Sequence, residues 1–169
     1  MVSIIPIPVP QDSLLARAAV PPGTYSDAFS TTVPGAVALA DLMTAFYTTP
    51  LFRAERAILR LAGHRSSRAQ LDALLAGSGT RFAVWDVVLR RPDEILLRDA
   101  SGATASWFQV VPVVQGTALR FGSVVYPVNG RYGPRPPRVM ALLLGPHTLY
   151  SRTLLSAAAR RIKRQTHPR

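Results

Sequence analysis

The residue best suited to acid–base chemistry is His147. It follows Gly145-Pro146 directly, inside Val139–Arg164, the longest apolar, helix-compatible run of the chain. An imidazole titrates near neutrality, so in a pocket it could act as general acid or base. The same ring could instead cap backbone groups beside a kink. Tyr150 lies three residues on, on the same side of a helix. Its hydroxyl could orient a polar group of a ligand, or its ring could simply fill the core. Asp27 and Asp86 fall on strand-like stretches. A carboxylate facing an apolar interior is costly unless paired, so an inward Asp would mark a site and an outward one a solvated surface. On a continuous strand Asp86 shares its face with Phe82, Val84 and Val88, which favours partial burial. Phe29, Trp85, Trp107, Phe108 and Phe121 also sit on strand-like stretches and could line a pocket for an apolar molecule, or fill it. His147 and Asp86 are therefore the catalytic candidates. Asp27, Phe29, Trp85, Trp107, Phe108, Phe121 and Tyr150 are the ligand-binding candidates.

Several chemistries are excluded or disfavoured. The chain has no cysteine, which removes disulfides, thiolate metal sites and a cysteine nucleophile. His64, His147 and His167 are far apart, without the spacing of a metal-binding pair, so no metal is expected. No Ser-His-Asp order, paired-Glu motif or P-loop occurs. No G-x-G-x-x-G fingerprint occurs either, so no resident cofactor is expected.

The formal net charge is +11, and it is unevenly placed. Residues 1–134 hold twelve Arg against nine acids, whereas residues 135–169 hold seven Arg and Lys163 with no acid. A basic helix end can meet nucleic acid or an anionic membrane surface. It also matches the macrodipole of its own helix, and that simpler reading is preferred. Met1–Pro10 is apolar but lacks Lys and Arg and contains Pro6, Pro8 and Pro10, unlike a secretory signal. The C-terminal run is broken by Gly145-Pro146 and Arg152, so it reads as a buried helix rather than a membrane span. A cytoplasmic protein is expected.

The elements that must position these residues follow from periodicity and breakers. Val2–Val9, rich in proline, reads as an extended edge segment, and Ser13–Ala19 as a helical turn. Thr24–Val33 reads as a strand with Tyr25, Asp27, Phe29 and Thr31 on one face. Ala36–Thr48, Leu51–Ala62 and Ser67–Ala76 carry helical stripes, with Gly63 a natural cap. Phe82–Arg90, Glu94–Arg98, Ala103–Val114 and Ala118–Val128 read as an antiparallel meander. Asn129–Pro137 is a Gly/Pro/Arg loop, and Val139–Arg164 a helix kinked at Gly145-Pro146. The order predicts an α+β fold, in which a curved antiparallel sheet grips a long C-terminal helix, with two or three short helices after the first strand.

That order resembles the helix-grip architecture of the START-like (SRPBCC) superfamily, which includes polyketide cyclases and plant allergen proteins. More closely, the chain resembles an uncharacterised bacterial domain family, sometimes fused behind a short-chain-dehydrogenase-like NAD(P)-binding domain; since this chain lacks the dinucleotide fingerprint, any NAD(P) that the resemblance implies would belong to a separate reductase. The matching pieces are Tyr25-Ser-Asp-Ala-Phe29, Pro50-Leu-Phe-Arg-Ala-Glu-Arg56, Asp93-Glu-Ile-Leu-Leu-Arg98 and Gly145-Pro-His147 with the L-Y-S-R-T-L-L that follows. A tryptophan usual after the helix-opening proline is replaced by Leu51-Phe52. The resemblance implies one START-like domain over 1–169, with a core of about 24–164, an extended segment 1–23 and a basic tail 165–169. It implies a cavity but no reaction. Three functions stay open: binding of a small apolar or aromatic molecule between sheet and helix; a cyclase or isomerase using acid–base residues there; and binding of nucleic acid or an anionic surface through Arg160, Arg161, Lys163 and Arg164.

Overall fold

The computed structural model describes the backbone of residues 2–61, 66–130, 133–135 and 138–166, and side chains over 2–54, 57, 66–127 and 147–165. The chain opens with β1 (Ile5–Pro6), α1 (Leu14–Ala18) and β2 (Tyr25–Val33). Three helices follow: α2 (Leu39–Tyr47), α3 (Pro50–Leu61) and α4 (Arg68–Leu75). Then come β3 (Arg81–Phe82), β4 (Trp85–Arg90), β5 (Glu94–Asp99), β6 (Thr104–Val113) and β7 (Gly116–Val125). A small hairpin, β8 (Val128–Gly130) and β9 (Gly133–Arg135), leads into α5 (Arg138–Thr166).

The fold is α+β. Seven strands form one antiparallel sheet in the order β1-β2-β7-β6-β5-β4-β3. The meander brings β4 to β7 side by side, and β2 closes on β7 because the three helices between β2 and β3 carry the chain back across one face. That inner face alternates with polar or outer residues at period two. Phe29, Phe121 and Phe108 lie in register across β2, β7 and β6. They pack with Met43, Phe46, Leu154, Leu155 and Ala158 in the main core. The helix α5 contributes a buried stripe of Leu154, Leu155, Ala158, Ala159 and Ile162, spaced so that they share one face.

The helix starts have local causes. Ser13 accepts from Ala16 N–H at 3.1 Å to cap α1, and Asp41 accepts from Ala38 N–H at 3.1 Å at the start of α2. In α4, Ser67 and Gln70 exchange side-chain-to-backbone bonds in a reciprocal capping box. Such caps contribute ~1 kcal/mol each.

The opposite face is covered as well, which the sequence does not anticipate. There α1 lays Leu14 and Leu15 over Ala28, Leu96, Ala105, Trp107 and Val124. Gly122 makes room for this layer, since a Cβ at that position would stand 2.6 Å from Asp27 O and 3.1 Å from the Trp107 ring. The helix is pinned by Glu94, 1% exposed. Its Oε2 accepts from Leu14 N–H at 2.9 Å and from the Trp107 indole at 2.7 Å. Arg91 donates to Oε1 at 2.6 Å.

Two further expectations change. Residues 82–90 are not one strand but the hairpin β3–β4, turning at Ala83-Val84 with Ala83 at φ +54. A continuous strand would send Phe82 and Trp85 to opposite faces. The turn pairs them on the inner face, and that aromatic burial outweighs the roughly 1–2 kcal/mol cost of a left-handed alanine. Within 129–137 the chain forms β8 and β9 rather than an open loop. The C-terminal helix is one hydrogen-bonded unit of 29 residues. The side chains at Gly145-Pro146, the expected kink, lie outside the described residues, as do Gly63, His64 and the tail 167–169. No helix among the described residues is long and apolar enough to cross a membrane.

Candidate functional site

Register across the inner face builds the site. One row runs Asp27, Ser123 and Ser106 over β2, β7 and β6; the next row, two residues along, is Phe29, Phe121 and Phe108. A polar row thus borders an aromatic one. The helix α5 brings His147 onto the polar row and Tyr150, one turn later, onto the aromatic row. Of the sequence candidates, Asp27, Phe29, Trp85, Phe108, Phe121, His147 and Tyr150 come together on this face.

The polar groups form a chain. Ser123 Oγ donates to Asp27 Oδ1 at 2.5 Å, and Ser123 N–H donates to the same oxygen at 3.2 Å. His147 Nε2 lies 2.8 Å from Ser123 Oγ. The serine has a single proton, and the carboxylate can only accept. That proton therefore goes to Asp27, and His147 Nε2 must carry the hydrogen that bonds back to Ser123. In the neutral ring, Nδ1 is then the acceptor. Tyr25 adds a longer bond to Asp27 Oδ2 at 3.3 Å and also hydrogen-bonds Thr148. Burial first, and the Asp27 carboxylate second, push the Tyr25 phenol above its usual pKa. Ser123 is 3% exposed, while Asp27, His147 and Tyr25 are half-buried.

These three residue types meet in an order that does not suit acyl transfer. In a nucleophilic triad the histidine takes the serine's proton. Here serine is the middle member and histidine the donor, so Ser123 is held as a bridge. The chain fixes the orientation of the imidazole.

Beside this chain lies a cavity of about 50 Å³, walled by Ser106, Phe108, Phe121, Trp85, Tyr150 and Leu154, with Phe46, Tyr47 and Phe52 from α2 and α3. Phe46 is central to the aromatic packing, edge-on to Phe108 at 4.8 Å and tilted against Phe121 at 4.9 Å. The volume suits a few waters rather than a drug-sized ligand, whose sites run about 300–1,000 Å³. Phe29 is buried in the core next to this wall without lining it.

Two candidates do not join the site. Trp107 points to the outer face, where α1 covers it and Glu94 takes its indole hydrogen. Asp86 also leaves the inner face. The β3–β4 turn reverses the phase assumed for a continuous strand, and Asp86 pairs with Arg81 at 3.4 Å with half its side chain exposed. Conversely, Ser123, Ser106 and Phe46 belong to the site and are not among the sequence candidates. Ser123 carries a readable signal: it continues Leu119 and Phe121 at period two, a hydroxyl on a mainly apolar stripe. Among the described residues no cluster of three or more His, Cys, Asp or Glu could hold a metal.

A second concavity, of about 380 Å³, lies at the far end of α5 and is lined by Val2, Arg160, Lys163 and Arg164. Comparison with protein-family models finds no match, and comparisons with curated proteins and with solved structures find none either.

Proposed function

We propose that the chain is a START-like, helix-grip binding protein for a small apolar or aromatic molecule carrying one hydrogen-bonding group. The observation that carries this reading is the register that sets the polar row of Asp27, Ser123 and Ser106, with His147 bonded to Ser123, beside the aromatic row, so that Ser106 reaches the cavity wall under α5. The ligand's apolar body packs against Trp85, Phe108 and Phe121, and its polar group meets the imidazole. A ligand larger than the cavity enters by displacing Tyr150 and Trp85, the two half-buried rings of its wall. Hydrophobic transfer of roughly 25 cal/mol per Å² supplies affinity, and the oriented imidazole supplies selectivity. The imidazole held by Ser123 also supports a second reading, a cyclase or isomerase in which His147 moves a proton on the bound molecule.

The test is titration with the neutral apolar probe N-phenyl-1-naphthylamine. Saturable binding that Leu154→Phe or Ser106→Leu weakens at least tenfold supports the reading. Binding that is unsaturable, or indifferent to both cavity-filling changes, rejects it. Once a ligand is known, unchanged turnover in His147→Ala would remove the enzymatic version while leaving the binding one.

A further inference from the structure

We infer that Ser106 selects the ligand's polar group, and that this group is a neutral hydroxyl on an aromatic ring, a phenol. The inference rests on the binding reading above and narrows it to one ligand class. Ser106 lines the cavity and stands directly opposite Ser123 across β6 and β7. The two hydroxyls differ in what they are bound to. Ser123 gives its proton to Asp27 at 2.5 Å and takes the His147 Nε2 hydrogen across 2.8 Å. Among the described residues nothing bonds the Ser106 hydroxyl. Its proton is uncommitted, and it is half-buried in a wall otherwise made of aromatic rings and Leu154.

Counting donors and acceptors gives the class. A neutral imidazole whose Nε2 hydrogen is already given to Ser123 can only accept. The ligand's polar group meets that imidazole, so it has to bring a hydrogen. The same group has to offer a lone pair to the Ser106 proton, because a donor buried without a partner is costly. One hydroxyl does both. A ketone or ether oxygen only accepts, and an ammonium only donates. A carboxylate brings no hydrogen and places a charge against a wall that contains no cation. The cavity, about 50 Å³, has room for a water beside Ser106. A ligand hydroxyl reproduces the donating and accepting capacity of a water that it displaces, which a carbonyl does not. The rings around Ser106 suit a flat aromatic body for the rest of the molecule.

The experiment is titration of the full chain with three probes of one shape, at about pH 8, where a phenol is protonated and an imidazole neutral. 2-Naphthol donates and accepts, 2-naphthaldehyde only accepts, and 2-methylnaphthalene does neither. A site built to bond a hydroxyl rejects analogues that lack it, so 2-naphthol should bind at least tenfold more tightly than either analogue. Ser106→Ala should cut that preference at least fivefold while changing the affinity for 2-methylnaphthalene less than twofold. Ser106→Thr, which keeps the hydroxyl, should retain the preference, and far-UV circular dichroism confirms that both variants are folded. Equal affinities for the three probes overturn the inference, as does a preference that Ser106→Ala leaves unchanged. Tighter binding of 2-naphthaldehyde than of 2-naphthol overturns it as well. In each of these cases saturable binding of 2-methylnaphthalene leaves the binding reading standing. If N-phenyl-1-naphthylamine binds saturably and none of the three does, the inference alone falls; if no probe binds, both fall.

Discussion

His147 Nε2 stands 2.8 Å from Ser123 Oγ, across the seam between α5 and β7, and Ser123 in turn gives its proton to Asp27. The direction of that chain fixes a tautomer. Long-range proton–nitrogen NMR at a pH where the ring is neutral should show His147 as the Nε2–H form. An Nδ1–H ring would reverse the assignment and reopen Ser123 as a nucleophile. Ser123→Ala should leave the buried end of the chain unpaired and cost about 1–3 kcal/mol in urea unfolding. The cost in a background already carrying Asp27→Asn should be smaller, because the two residues share one bond.

Glu94 is the anchor of the other face. It is 1% exposed and holds the first turn of α1, the Trp107 indole and Arg91 at once. Removing one partner of a buried charged pair costs about 3–5 kcal/mol, so Glu94→Ala should lower the urea midpoint strongly and erase the near-ultraviolet dichroism of Trp107. Glu94→Gln, which keeps the shape and one acceptor, should lose less. Equal stability of Glu94→Ala and the parent chain would contradict this role.

Asp99 sets an acid limb. Burial alone would raise its pKa, but hydrogen bonds from the Ser101 and Thr104 side chains and backbone outweigh burial and hold it below the usual value of 3.8. A carboxylate with a depressed folded pKa contributes stability above its unfolded pKa and loses it as pH falls through the folded one. Urea midpoints between pH 6 and pH 2 should therefore fall at the acid end, and Asp99→Asn should flatten that part of the curve. A curve of unchanged shape in Asp99→Asn would exclude Asp99 as its source.

Much of this architecture is legible in the sequence because local signals agree there. The β2 strand, the helices between it and the meander, and the long α5 follow from period, caps and breakers, and the Asp27–Phe29 phase on β2 holds. The misses have separate causes. The partial burial expected of Asp86 presumes a strand that runs on unbroken, and Trp107 alternates with Phe108 on a strand whose other face is also buried. A two-residue turn at Ala83-Val84 carries no Gly, Asn or Asp to announce it. The five-residue helix α1 is too short to advertise that it covers a second face. Ser123 was overlooked for a different reason: its importance lies in partners 96 and 24 residues away in sequence, and only strand register brings them together.

The two tryptophans separate the faces experimentally. Trp85 borders the cavity, with its ring 5.5 Å from that of Phe52, while Trp107 is sealed under α1 on the far side of the sheet. If ligand enters beneath α5, Trp85→Phe should weaken N-phenyl-1-naphthylamine binding by roughly fivefold, the equivalent of ~1 kcal/mol of ring contact. Trp107→Phe should leave that affinity within about twofold, yet lower stability, because it strips Glu94 of a buried donor worth about 1–3 kcal/mol. The pair of measurements runs in opposite directions for the two residues, so neither general destabilisation nor non-specific probe adsorption can reproduce it. Loss of affinity in Trp107→Phe with none in Trp85→Phe would move the binding site to the α1 face.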